Sequence, residues 1–178
     1  INSLRGINIL VPRNFVEASG MYNTLLLSDE PGIVIEPLNA YRLKENLPEN
    51  LDKVAVEFGV PEIIRDGKDI TIVTYGSMCK IVLEAASQLN EIGISCEVID
   101  VRTLIPFDKN KMIVESIKKT NRVVFADEDV SGGASAYMMQ SVIENQDAYF
   151  YLDSKPLTIH SNDHRPAYST DGDYFSKP

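Results

Sequence analysis

The chain has 178 residues, 44% of them hydrophobic, which is enough to bury one full core with room for part of a second. Its formal charge of −9 argues against phosphate backbones and anionic lipid as partners, so neither nucleic acid nor membrane is expected, while a basic protein module is a fair match. The longest apolar runs, "ITIV" and "NTLLL", are too short for a bilayer, and no signal-peptide pattern opens the chain, so a cytoplasmic location is expected. In chain order, "INILVPR" reads as a short apolar strand. The segment "NFVEASGMYNTLLLSDEP" then reads as a helix, with Asn14 as cap and Phe15, Ala18, Leu25 and Leu26 on the buried face. "GIVIEP" is a second buried strand. This β-α-β unit is too small to bury both faces alone, so the first part of its domain is expected upstream of Ile1.

From Leu43 to Val60 the pattern degrades into a linker, with an edge strand expected near Val54 and Val56. "VPEIIRDGKD" then reads as a hairpin turning at Asp66-Gly67, and "ITIVTYG" as a buried strand rich in β-branched residues. Ser77 is placed to cap a helix burying Ile81, Val82, Ala85, Ala86, Leu89 and Ile92, with Gly93 as its left-handed stop. Strand "CEVIDV", a helix from Asp108 to Lys119, strand "RVVFAD", a helix from Ala134 to Asn145 and strand "PLTIH" complete the order. Such alternation predicts an α/β fold: a mainly parallel sheet with helices on both faces, preceded by a partial α/β domain. The expected boundaries are 1–42 for the partial domain, 43–60 for the linker and 61–178 for the second domain.

Functional groups of parallel sheets gather beyond the carboxyl ends of the strands. Three loops are expected there: Tyr75 to Ser77, Arg102 to Pro106, and Asp127 to Gly133. Gly132-Gly133 and Gly76-Ser77 each precede a helix, yet Asp127, Glu128 and Asp129 would repel an anion at the former. Neither loop matches a phosphate-binding fingerprint. The three consecutive acids lack the spacing of a cation loop, and the Pro- and Asn-rich surroundings of His160 and His164 argue against a metal pair. Cys79 and Cys96 have no partner spacing for a metal or a disulfide framework and read as buried small hydrophobes. Cys79 stands near a helix start that would favour thiolate. Residues 127–178 carry nine acids against Lys155, Arg165 and Lys177, an acidic face that is either merely solvated or complementary to a basic partner. Arg102 at a strand end can pair with Glu128 or Asp127 within the chain, or with another subunit.

The run "EVIDVRTLIPFD", with "RDGKDITIVTYGSM" and "LEAASQLNEIGI" before it, closely resembles the carboxyl-terminal domain of the thiamine-diphosphate-dependent 2-oxo acid dehydrogenases, in the β subunit or its fused counterpart. "LVPRNFVEASGMYNTLLLSDEPGIVIEPLNAYR" resembles the end of the pyrimidine-binding domain of the same proteins. The resemblance implies a transketolase-like fold. It also implies a component that decarboxylates pyruvate or a branched-chain 2-oxo acid and passes the acyl unit to a lipoyl acyltransferase core. Thiamine diphosphate and Mg are implied for the full-length protein. The family's activating glutamate and histidine-bearing loop precede the part matched by Ile1, and its diphosphate and metal ligands lie on another domain. No catalytic, cofactor or metal residue, and no bound cofactor, is therefore expected in this fragment. The expected role is dimerisation or hetero-oligomer assembly, with Asp163, Arg102 and Glu128 at partner interfaces and Asp163 as the docking aspartate. Thr158 stands where many relatives have arginine, Tyr137 where many have glutamate, and the chain ends before a terminal helix that many possess. The alternative is a transketolase or deoxyxylulose-phosphate synthase relative acting on sugar phosphates.

Overall fold

The computed structural model describes residues 4–163. Its first strand, β1 (Asn8–Leu10), is fully buried and runs parallel to β2 (Gly32–Val34). Between them α1 (Phe15–Leu26) starts where expected, with the Asn14 side chain accepting from Glu17 N at 2.8 Å. Its buried face differs from expectation: Glu17, Gly20 and Met21 face inward, whereas Phe15 and Leu26 are exposed. The reason is packing against the segment 54–58, where Val56 and Phe58 join Leu10 and Met21 in a small core. That segment forms no strand, and residues 43–50 before it are exposed throughout. β2 is likewise only half-buried.

The second sheet has the order β3-β5-β4-β7-β8, with β3 (Glu62–Arg65), β4 (Ile70–Thr74), β5 (Cys96–Asp100), β7 (Val123–Val130) and β8 (Leu157–Ser161). All neighbours are parallel except β3, which pairs antiparallel with β5. The Asp66-Gly67 turn is therefore no hairpin. It carries the chain across the end of β5 into the next slot, where Lys68 N and Asp69 N both donate to Ser95 O at 3.1 and 2.9 Å. Close passage is possible only because Gly67 has no side chain: a Cβ there would lie 2.1 Å from the backbone of Cys96 and Glu97.

Helices cover both faces of this sheet, as the β/α alternation requires. α2 (Met78–Glu91) packs Val82 and Ala86 over Ile72, Cys96 and Val98 on one face. α3 (Met112–Thr120) and α4 (Ala134–Gln140) pack Ile113, Ile117 and Met138 over Val73, Ile99 and Phe125 on the other. Ile81 of α2 and Ile92 at its carboxyl-terminal cap are exposed, so the inward stripe is narrower than the apolar periodicity implied and includes Cys79. Gly93 does take the left-handed conformation, at φ +85°. α3 begins four residues later than expected, and α4 passes at Ser141 into a π-turn ending at Asn145. One further strand, β6 (Thr103–Ile105), lies where a loop was expected. It leaves the second sheet and pairs antiparallel with β1, so the first sheet has the order β2-β1-β6. Ile9 and Val11 thereby share a core with Val73, Ile99 and Leu104.

Candidate functional site

Two of the three loops do meet beyond the strand ends. Tyr75 donates its hydroxyl to Asp127 Oδ1 at 2.6 Å, and Ser77 donates to Glu128 Oε2 at 3.3 Å. Ser77 thus spends its hydroxyl on the neighbouring loop and caps no backbone group of α2. Asp127 is buried and also accepts from Ser135 N and Asp129 N, so it neutralises the start of α4. Burial and the Asp127 charge together push the Tyr75 phenol well above its ordinary range.

Along this acidic run Asp127 is buried, whereas Glu128 and Asp129 are both exposed. A Cβ at Gly133 would come within 2.6 Å of Asp129 Oδ2, so the glycine turn is already filled by the chain's own carboxylate. A diphosphate does not fit there. Among the described residues, no three His, Cys, Asp or Glu side chains gather as a metal site. Glu128 and Asp163 share the exposed end of the sheet, because Ser161 donates its hydroxyl to Glu128 O at 2.8 Å and Asp163 follows two residues on. His164, Arg165 and the acids at 171 and 173 lie outside the described residues.

The third loop turns away. Arg102 adopts φ +59° in the two-residue connection between β5 and β6. It pairs with neither Glu128 nor Asp127. Its partners are Glu17, with Nε at 3.1 Å from Oε1, and Glu62, contacted by Nη2. Arg13 joins the same carboxylates: Nη1 lies 2.7 Å from both Glu17 Oε1 and Asp100 Oδ2, and Nη2 lies 2.9 Å from Glu62 Oε2. Backbone donors complete the cluster, Arg13 N to Glu17 at 2.7 Å and Arg102 N to Asp100 at 2.9 Å.

Three carboxylates thus face two guanidiniums. Burial, reinforced by the Asp100 charge, pushes Glu17 up to about 7, and burial also raises Asp100. Glu62 is raised by its partial burial but lowered more by the Arg102 hydrogen bond and by Arg13, so it ends below the usual carboxylate range. Cys79 packs beside Asp100. Burial and that carboxylate push its thiol up, the reverse of the helix-start expectation, and Cys96 is buried as a free thiol.

Sequence reasoning missed Arg13, Glu17, Glu62 and Asp100. The available signals were "NFVE", whose glutamate stands three residues after the cap, and an aspartate ending the otherwise buried strand "CEVID". Tyr137 packs edge-on against Phe107, with centroids 5.7 Å apart, so at this position the chain spends a side chain on its core.

The profile of the family described as "Transketolase, C-terminal domain" matches residues 59–172, which spans the second sheet and its helices. The chain belongs to this family. This transketolase C-terminal domain and the segment before it are 35% identical over 154 residues to the pyruvate dehydrogenase E1 component subunit beta of Rickettsia felis, covering 86% of this chain and 46% of that protein. They are 34% identical over 143 residues to the mitochondrial 2-oxoisovalerate dehydrogenase subunit beta of Dictyostelium discoideum, covering 79% and 38%. Identity reaches 38% over 123 residues with the acetoin:2,6-dichlorophenolindophenol oxidoreductase subunit beta of Cupriavidus necator, covering 69% and 36%. The chain spans less than half the length of these curated relatives. A split-gene transketolase, solved as an inactive tetramer of β chains, superposes with a TM-score of 0.72 at 24% identity over 91% of this chain and 50% of that one. That likeness bears out the α/β fold with a mainly parallel sheet.

Proposed function

We propose that this chain is the assembly-bearing part of the decarboxylating component of a thiamine-diphosphate-dependent 2-oxo acid dehydrogenase complex. The whole enzyme converts pyruvate or a branched-chain 2-oxo acid to CO2 and an acyl group on a lipoyl acyltransferase. The observation that carries this reading is the identity to β subunits of pyruvate and 2-oxoisovalerate dehydrogenases, which covers 86% and 79% of this chain. Thiamine diphosphate with its Mg supplies the carbanion chemistry when bound to the complete enzyme. The Gly132-Gly133 turn is occupied by Asp129 and leaves no room for the cofactor's diphosphate, and the work we assign to this chain is to hold the subunit together and present its surface. The division at 43–60 and the role of Asp163, Glu128 and Arg102 at partner interfaces belong to the same proposal. Glu128 and Asp163 offer exposed charge, while Arg102 pairs with Glu17 and Glu62.

Exposed apolar side chains support an oligomeric setting: Leu26 and Leu27 at the end of α1 are 83% and 90% exposed, and Phe150 is 78% exposed. Two free buried thiols suit the reducing cytoplasm. The test supplies the full-length protein, and any separate partner subunit, with thiamine diphosphate and Mg, and measures CO2 release from pyruvate and branched-chain 2-oxo acids. Turnover of one of these is expected, and inertness toward all of them would refute the reading. The acetoin relative favours one second reading, an oxidoreductase acting on acetoin. Dye reduction with acetoin, but not with 2-oxo acids, would select it.

A further inference from the structure

We propose that Arg13, Glu17, Glu62, Asp100 and Arg102 form a proton-binding latch between the two sheets, in which one proton held on the Glu17–Asp100 pair completes the charge balance and tightens the contact. The inference does not depend on the proposed activity. Glu17 comes from α1 of the first unit, Glu62 from β3, and Asp100 and Arg102 from the point where the chain leaves one sheet for the other. A single nitrogen, Arg13 Nη1, lies 2.7 Å from both the Glu17 and Asp100 carboxylates, so the two acids sit within one donor's reach of each other. Glu17 is 5% and Asp100 0% exposed. Two guanidiniums against three carboxylates leave one excess negative charge, which is costly to bury.

The proton goes to the buried pair and not to Glu62, because Glu62 lies nearer solvent and takes contacts from both arginines. From α2 the cluster faces the neutral Cys79 thiol. Lys80 and Glu84 line the same surface opening of about 400 Å³ as Arg13, yet no ion pair joins them to the cluster among the described residues. Neither acid lines that opening, which reaches the cluster through Arg13 and Cys79. Both buried acids titrate higher in the fold than in the unfolded chain, so the folded state holds a proton that the unfolded state has lost between about pH 4 and 7. The latch therefore contributes most at the acid end of this window. Its contribution falls as pH rises through about 7 and is level above that.

Native-state hydrogen exchange on the whole protein tests this through the Val11 amide, which donates across the junction to Arg102 O at 2.8 Å. Its protection factor is expected to drop by up to about tenfold per pH unit between pH 5 and 7, while the centre of β4 keeps its protection. Glu17→Gln should flatten that slope, and Glu62→Gln, which removes one carboxylate, should move the midpoint down. An unchanged slope in Glu17→Gln, or an unchanged midpoint in Glu62→Gln, would overturn the latch. If Glu17→Gln fails to fold, carbon NMR of the unmodified protein decides. One carboxyl, Glu17 or Asp100, should titrate near neutrality, and no carboxyl titrating above pH 6 would end the proposal.

Discussion

Asp108 shows how one side chain can start a helix from outside it. The residue sits at φ +35°, is 2% exposed, and its carboxylate accepts from Met112 N at 2.8 Å and Ile113 N at 3.3 Å. The position next to α3, Lys111, offers no side-chain cap, so the task falls to an acid four residues before the helix. Asp108→Ala should cost about 2 kcal/mol in denaturant unfolding, and Asp108→Asn clearly less, because asparagine keeps the acceptor and tolerates the backbone. Asp108 was legible as a starter because "PFD" precedes an apolar-periodic run. Arg102 was legible only as an arginine seeking carboxylates. Its choice of Glu17 and Glu62 over Glu128 rests on a positive φ and on contacts with residues 85 and 40 positions away, which no local pattern encodes.

At the scale of elements, the parallel strands and their crossover helices followed from β-branched runs alternating with 3.6-residue periodicity. The misreadings arose where tertiary packing chose between equivalent local signals. Asp66-Gly67 marks a sharp turn in either case, but β5 occupies the slot beside β3, so the glycine serves a crossing and not a hairpin. Gly67→Ala should therefore drive a methyl into the Cys96–Glu97 backbone and cost about 3 kcal/mol, read as a lower urea midpoint. A true hairpin position would tolerate alanine far better. α1 was misread for a related reason: its apolar residues outnumber the inward positions. Val54 and Val56 take their places on Gly20, where a Cβ would lie 2.9 Å from Val56.

At the scale of the molecule, the two charged regions divide the labour, one buried between sheets and the other presented beyond them. Glu128 and Asp163, with Asp129, are exposed at the acidic end, and the first two are the proposed interface acids. On the proposed assembly role, replacing both by lysine should weaken capture of the basic binding domain of a lipoyl acyltransferase by about tenfold and lessen its salt sensitivity, with no change in thermal midpoint beyond a few degrees. Equal capture by the double variant would assign the docking surface elsewhere. Surface acidity was visible in composition alone, whereas the buried cluster was not, because its members are scattered from Arg13 to Arg102 and only folding collects them.

β6 belongs by chain position to the later half of the protein and by pairing to the earlier sheet. Scission within the exposed stretch 43–50 would consequently yield two pieces that remain interlocked, since the amino-terminal piece keeps its third strand only by borrowing it from the other. Neither piece is a self-contained module. Any attempt to express the later half by itself starts with an orphaned strand, and adding the earlier half in trans is the natural remedy.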